Sequence, residues 1–200
     1  MTDAELAALL ALGHETPAVE VKEGFARTAD RLFWRVVRAC LAMSNRRDGG
    51  FVIIGVKESA GGLDPTGFEA GALETWNHDD VAAGLAPYAD PYVSLTTQRL
   101  TFKGQPVIVL TVREFADVPV ICTADRLPEL RIATLYVRAG TKPESVAVRD
   151  HAQLRELLDL ATEKATRRFL ALARSVGVTA QPSDDELFAA QLRDVRDAVR

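Results

Sequence analysis

Residues 44–58 read SNRRDGGFVIIGVKE, and this stretch decides the fold. An amphipathic helix is predicted over residues 29–44, where apolar side chains recur at spacings of three and four. Gly49 and Gly50 predict a turn that needs a positive φ or a close approach of the backbone. Residues 51–56 follow as a strand that is apolar on both faces, which indicates a central position in a sheet.

The rest of the chain mixes helices and strands without a regular repeat. Helices are predicted over residues 3–12 and 78–87, one long helix or two over 149–174, and a last helix over 184–199. Strands are predicted over residues 17–22, 91–100, 106–112, 118–122 and 134–138, with a hairpin turn at 103–105 and a loop over 59–75. This order predicts a mixed α and β domain rather than a βαβ array.

The composition is that of an ordinary globular chain. Its 200 residues are 48% apolar and 26% charged, with a formal net charge of −4. That charge argues against a uniformly basic nucleic-acid coat but allows a local basic groove. Cys40 and Cys122 are expected to be buried, reduced thiols. No secretory signal and no run of membrane-spanning length is visible, so the sequence predicts a cytoplasmic protein without a membrane partner.

Three sequence blocks together resemble the Schlafen AlbA-type domain family. The first is ETPAVEVK at residues 15–22, and the second joins AMSN at 42–45 to GGFVIIGV at 49–56. The third is YVRAGT at residues 136–141. Each block alone is a weak signal, but the three in this order are specific, and the resemblance covers about residues 13–145.

The resemblance implies an α+β fold, with helices packed on a mixed sheet, and work on nucleic acid. Bacterial members are described as DNA-binding or regulatory domains, and animal Schlafens include endoribonucleases that cut transfer and ribosomal RNA. In those enzymes two glutamates and a later aspartate bind a metal ion. The glutamates correspond to Glu15 and Glu20, and the third position falls at Lys57-Glu58, where this sequence departs from the family pattern.

The same residues suit metal-dependent phosphodiester cleavage on chemical grounds. If Glu58 returns to the edge that carries Glu15 and Glu20, three carboxylates can hold Mg²⁺ or Mn²⁺, which prefer oxygen ligands. Lys22 is then a catalytic candidate, because it shares a strand face with Glu20 and can contact the phosphate. The alternative is that Glu20 and Lys22 form the solvated face of an edge strand and that Glu58 is a loop charge.

Basic and aromatic residues supply candidates for nucleic-acid contacts. Arg46 and Arg47, with Arg31, Arg35 and Arg38, form the densest basic region of the first half, and Arg138 and Lys142 form a second one. Trp76 is the candidate for base stacking, since it is predicted to lie in a loop. The alternative for the basic residues is a solvated helix flank and a salt-bridged strand end.

The predicted organisation is a Schlafen AlbA-like domain over residues 1–148 and a C-terminal helical extension over 149–200. Apolar stripes on the extension favour a homo-oligomer or a protein partner. Three functions stay open. They are a divalent-metal-dependent endoribonuclease acting on structured RNA such as tRNA, a non-catalytic DNA- or RNA-binding regulatory domain, and an assembly module.

Overall fold

The computed structural model describes residues 1–139 and 143–175. Its α-helices are α1 (Asp3–Leu10), α2 (Asp30–Ser44), α3 (His78–Leu85) and α4 (His151–Ser175). Its strands are β1 (Val19–Lys22), β2 (Gly50–Ile54), β3 (Val56–Ser59), β4 (Gly62–Pro65), β5 (Ala89–Asp90), β6 (Leu95–Phe102), β7 (Gln105–Val112), β8 (Ile121–Cys122), β9 (Thr134–Arg138) and β10 (Ser145–Ala147). Two 3₁₀ turns cover Leu73–Thr75 and Ala86–Tyr88.

The strands form a mixed sheet, a second antiparallel sheet and a separate hairpin. The first sheet has the order β1-β2-β7-β6, in which β1 and β2 are parallel and the other pairs are antiparallel. The second sheet has the order β10-β9-β8-β5, and β3 pairs with β4. Helix α2 makes the crossover that the parallel pair requires. The predicted α+β class with a mixed sheet is confirmed.

Strand β2 is central and buried on both faces, as its sequence predicts. Val52 and Ile54 belong to the larger apolar cluster, which α2 covers, whereas Ile53 belongs to a second cluster with Leu6 and Leu10 of α1. Successive side chains of a strand point to opposite faces, so a strand covered by a helix on each side must be apolar throughout. Cys40 and Cys122 are buried free thiols in the larger cluster.

The Gly49-Gly50 turn is a point of close contact. Gly49 has a φ of +68°, and a Cβ there would lie 2.1 Å from the carbonyl oxygen of Val112. A Cβ on Gly50 would lie 2.3 Å from the sulfur of Met43 and 2.7 Å from the carbonyl oxygen of Ala18. The absence of a Cβ at these two positions therefore lets the start of β2 pack closely against the C-terminal end of α2.

Several predicted boundaries differ from the structure for local reasons. The strand expected over 51–56 divides at Gly55, whose φ of +101° separates β2 from the β3–β4 hairpin, and this hairpin extends into the loop predicted over 59–75. The strand expected over 91–100 begins only at Leu95. Helix α1 is capped by the Thr2 side chain, which accepts a hydrogen bond from the Glu5 amide.

The chain divides into two compact units, Met1–Thr162 and Glu163–Arg200. The first unit includes the start of α4, whose Leu157 and Leu160 are buried in the larger apolar cluster. The predicted helix over 184–199 lies outside the described residues, so self-association or partner binding through 149–200 stays a prediction. Among the helices of the described ranges, none combines the length and the apolar character that a membrane crossing needs.

Candidate functional site

A cleft of about 730 Å³ opens beside β1. Its walls come from β1, α2, the loop between β8 and β9, and the segment from β10 to the start of α4. Its floor includes Glu20 and Tyr136, which are buried, and Glu15, which is half-buried. The other charged lining residues are Lys22, Arg35, Arg38, Glu129, Arg131, Glu144 and Arg149.

The floor is organised around the carboxylate of Glu20, whose side chain is 7% exposed. Its Oε1 lies 2.5 Å from Lys22 Nζ. Its Oε2 forms an ion pair with Arg138 Nη1 and accepts a hydrogen bond of 2.6 Å from Ser145 Oγ. Both oxygens of Glu20 are therefore engaged by cationic or hydroxyl donors, which is the condition for keeping a carboxylate buried.

Arg138 ties this floor to the backbone of the distant segment before β1 and to that of the nearby Pro143. Its guanidinium donates to the carbonyl oxygens of Thr16 at 3.1 Å, Pro17 at 3.2 Å and Pro143 at 2.7 Å. Its side chain is only 2% exposed. Burial lowers the pKa of Arg138, and the negative charge of Glu20 opposes that change. Arg138 thus joins β9 to the segment that precedes β1.

Glu15 occupies a different environment from Glu20. Its Oε1 accepts a hydrogen bond of 2.7 Å from the Val21 amide. Burial raises the pKa of Glu15, while the Val21 hydrogen bond and the charge of Lys22 act in the opposite direction. A half-buried carboxylate with one fixed donor keeps acceptor capacity facing the cleft.

A second ion-pair group holds the opposite wall. The buried Glu129 carboxylate accepts Arg31 Nε at 3.4 Å and Arg38 Nη1 at 3.0 Å. These contacts fasten the β8–β9 loop to α2. Within the described residues, the buried Nε of Arg38 has no hydrogen-bond partner. A buried donor of this kind favours an acceptor ligand in the cleft.

Three exposed arginines stand around the mouth of the cleft, and together they are called the rim arginines here. They are Arg35 on α2, Arg131 in the β8–β9 loop and Arg149 just before α4. The guanidinium groups of the rim arginines make no hydrogen bond or ion pair among residues 1–139 and 143–175. Their N–H groups are therefore available to donate hydrogen bonds to a ligand in the cleft.

The predicted carboxylate triad is not assembled. Glu15 and Glu20 share the cleft, but Glu58 lies exposed on the β3–β4 hairpin, opposite Leu63, and does not line it. In the part of the chain that the structure describes, no three His, Cys, Asp or Glu side chains are placed to hold a metal ion. The donor set also fits poorly, because both Glu20 oxygens already face positive groups or a hydroxyl. The residues do not fit Mg²⁺ or Mn²⁺ in this arrangement.

The predicted nucleic-acid contacts need two corrections. Arg138 is a buried ion-pair partner rather than an exposed phosphate contact. Trp76 is 4% exposed and packs edge-on against Phe25 at a centroid distance of 5.3 Å, so no base can stack on it. Its indole nitrogen donates to the Phe25 carbonyl oxygen.

Of the basic candidates, Arg35 and Arg38 on α2 line the cleft and Arg31 pairs with Glu129, whereas Arg46 and Arg47 lie away from it. Arg46 and Arg47 line a separate pocket between the Gly-Gly turn and α4, and Arg46 Nη1 donates to the carbonyl oxygens of Arg47 and Gly49. Lys142 lies outside the described residues. Arg35 was visible in the sequence as part of the basic flank of α2. Arg131 and Arg149 were missed because they stand in irregular segments without a periodic pattern.

Comparison with known proteins identifies the family model "Schlafen, AlbA_2" over residues 15–147. A search of curated proteins finds no match. Among solved structures, the DIP2311 protein of Corynebacterium diphtheriae is 19% identical with a TM-score of 0.45, over 72% of this chain and 26% of that one. The N-terminal domain of a RecG-related protein of Nitrosomonas europaea is 21% identical with a TM-score of 0.47, over 76% of this chain and 97% of that one.

Proposed function

Since the chain belongs to the Schlafen AlbA_2 family, with a match over residues 15–147, we propose that its cleft binds nucleic acid through the phosphate backbone. The observation that carries this proposal is the set of rim arginines, which reach one opening from three separate segments. A guanidinium forms paired hydrogen bonds with phosphate oxygens and keeps its charge at any physiological pH.

The local charge suits a phosphate ligand although the whole chain has a formal net charge of −4. The two most buried carboxylates that line the cleft, Glu20 and Glu129, are each paired with two cations. Among the described residues the rim arginines have no such partner, and their three positive charges exceed the two negative charges of Glu15 and Glu144, the other carboxylates of the lining. Backbone binding of this kind depends on local cations rather than on net charge.

A binding assay tests the proposal. Fluorescence anisotropy of labelled single-stranded and duplex oligonucleotides is measured over a series of salt concentrations. Replacing the rim arginines by alanine, singly and together, should weaken binding and reduce the slope of log K against log salt by about 0.7 on single strands, or about 0.9 on a duplex, for each phosphate that the protein no longer neutralises. Arg99→Ala is the matched control, because Arg99 is exposed on β6 and does not line the cleft.

Two outcomes would count against this function. One is that the triple variant binds as tightly as the unchanged protein, with the same salt slope. The other is that Arg99→Ala weakens binding as much as each single rim substitution does, which would indicate a diffuse charge effect.

Cleavage of structured RNA with Mg²⁺ or Mn²⁺ stays a prediction of the family resemblance, and the same protein can test it. Transfer RNA is incubated with the protein and either ion, or with a chelator. Metal-dependent cleavage that is lost in both Glu15→Gln and Glu58→Gln would support the three-carboxylate site. We expect binding without such cleavage, because Glu58 lies outside the cleft and Glu20 is paired with Arg138 and Lys22.

A further inference from the structure

The cleft has two chemically different levels. Its mouth carries the exposed rim arginines, together with Leu127, which is 67% exposed. Its floor carries the carboxylates of Glu15 and Glu20 beside the buried Tyr136. The unpaired rim arginines attract a phosphate to the mouth, whereas the floor offers it no unpaired cation, because Lys22 and Arg138 are paired with Glu20 and the carboxylate of Glu15 repels it. This gradient orients a nucleotide with its phosphate outward and its base inward.

The size of the cleft limits which form of nucleic acid enters it. Pockets of about 300–1,000 Å³ enclose single small ligands, so a cleft of about 730 Å³ holds one or two nucleotides. The bases of a duplex are stacked and paired inside the helix, and a duplex can touch only the rim. An unpaired strand can instead turn a base toward the floor, as single-strand binders do.

Glu15 is the floor residue with acceptor capacity to spare. Its Oε1 accepts from the Val21 amide at 2.7 Å, and among the described residues its Oε2 accepts no hydrogen bond. Glu20 differs, because Lys22, Arg138 and Ser145 engage both of its oxygens. A carboxylate oxygen accepts only from donors, and on unpaired bases these are the amino groups of cytosine, adenine and guanine and the ring N–H groups of guanine and uracil.

We propose that the cleft selects single-stranded nucleic acid and that Glu15 reads the base by accepting a hydrogen bond from its amino group. This inference rests on the proposed function and adds a substrate class and a specificity residue to it. Cytosine has an amino group at the position where uracil has a carbonyl oxygen, and the one ring N–H on that edge of uracil lies between two carbonyl oxygens that repel a carboxylate. The cleft therefore prefers cytosine to uracil in strands that carry the same backbone charge.

The test compares labelled oligo(rC), oligo(rU) and a mixed-sequence RNA duplex of equal length in the same anisotropy assay. Oligo(rC) should bind about tenfold more tightly than oligo(rU), which is the size expected for one hydrogen bond to a charged group. The duplex should bind more weakly than oligo(rC). In Glu15→Gln the ratio of oligo(rC) to oligo(rU) affinity should fall toward one, because the amide offers a donor as well as an acceptor.

Glu69→Gln is the matched control, since Glu69 is exposed, does not line the cleft and loses the same charge. Its ratio should equal that of the unchanged protein. The thermal unfolding temperature of Glu15→Gln is measured in parallel to check that the variant folds. Folding is expected, because the glutamine amide oxygen can still accept the hydrogen bond from the Val21 amide. A ratio that Glu15→Gln leaves unchanged, or a duplex that binds as tightly as oligo(rC), overturns the inference while phosphate binding at the rim stands. Absence of binding to every oligonucleotide overturns both.

Discussion

At the scale of single residues, the sequence located Glu15, Glu20 and Lys22 but not the distant residues that contact Glu20. Glu15 and Glu20 were predicted from their spacing and from the family resemblance, and both line the cleft. The pairing of Glu20 with Arg138 was not predictable, because it joins residues 118 positions apart. Strand alternation made Glu20 a candidate for solvent, whereas packing against β9 and β10 buries it.

The buried ion pair makes Arg138 a stability residue. Arg138→Met leaves the Glu20 carboxylate with Lys22 and Ser145 but without its most buried cation, so the free energy of unfolding should fall by about 3–5 kcal/mol. Adding Glu20→Gln in the same chain should recover a substantial part, because the uncompensated charge is then removed. Urea unfolding of the two variants measures both effects, and Arg99→Met on the exposed face of β6 should change stability little. Equal losses in the single and double variants would contradict this role.

The pKa of Glu15 adds a pH dependence with a defined sign. Burial raises the folded-state pKa, so the folded chain binds this proton more readily than the unfolded chain does. Protonation of Glu15 therefore increases the free energy of unfolding at low pH, and this contribution declines as pH rises from the ordinary glutamate pKa through the raised one. Thermal unfolding across that window should show this decline, and Glu15→Gln should remove that part of the slope. A Glu15→Gln profile parallel to that of the unchanged protein would contradict the assignment.

At the scale of elements, the pattern of residues 44–58 was sufficient to predict α2, the turn and β2. Its apolar strand is central, and a Cβ added at Gly49 or Gly50 would lie less than 3 Å from the backbone, as a predicted close approach requires. In the second sheet the strands predicted over 118–122 and 134–138 are found at Ile121–Cys122 and Thr134–Arg138, whereas β5 and β10 were not predicted, because they contain two and three residues and carry no periodicity. The β3–β4 hairpin was missed because Gly55, Gly62 and Pro65 are typical of a loop.

Gly49 and Gly71 have similar positive φ angles, so alanine variants at these two positions distinguish backbone strain from steric clash. Gly71→Ala should cost about 1–2 kcal/mol, since its φ of +76° is disfavoured for alanine but a Cβ there meets nothing within 4 Å. Gly49→Ala, at a φ of +68°, should cost about 1–3 kcal/mol more, because its Cβ lies 2.1 Å from the Val112 carbonyl oxygen. Chemical denaturation of both variants measures the difference. Equal losses would show that the close approach beneath α2 is relieved without cost.

At the scale of the whole molecule, the family and the α+β class were predictable because three short blocks keep their order along the chain. The cleft was not predictable, since its arginines come from a helix, a loop and a junction that only tertiary packing brings together. The boundary between the units also depends on packing. The sequence resemblance ends near residue 145, but Leu157 and Leu160 extend the folded core into α4.

Truncation tests how far the folded unit extends. A chain that ends at Thr162 should unfold cooperatively and keep nucleic-acid binding, because it contains the whole first unit. A chain that ends at Val148 loses the buried Leu157 and Leu160 and should be less stable by about 2–5 kcal/mol for each. Circular dichroism and thermal unfolding compare the two. Equal stability of both chains would show that α4 contributes nothing to the core.

The network around Glu20 also fixes when the site can form during protein synthesis. Glu20 leaves the ribosome early, but Arg138 and Ser145 follow it by 118 and 125 residues. At roughly 5–20 residues per second, the nascent chain holds Glu20 without Arg138 and Ser145 for many seconds. The rim and the floor are therefore completed in a single late event, when the last strand emerges. Until then the chain has neither a buried floor nor a cleft in which to hold nucleic acid.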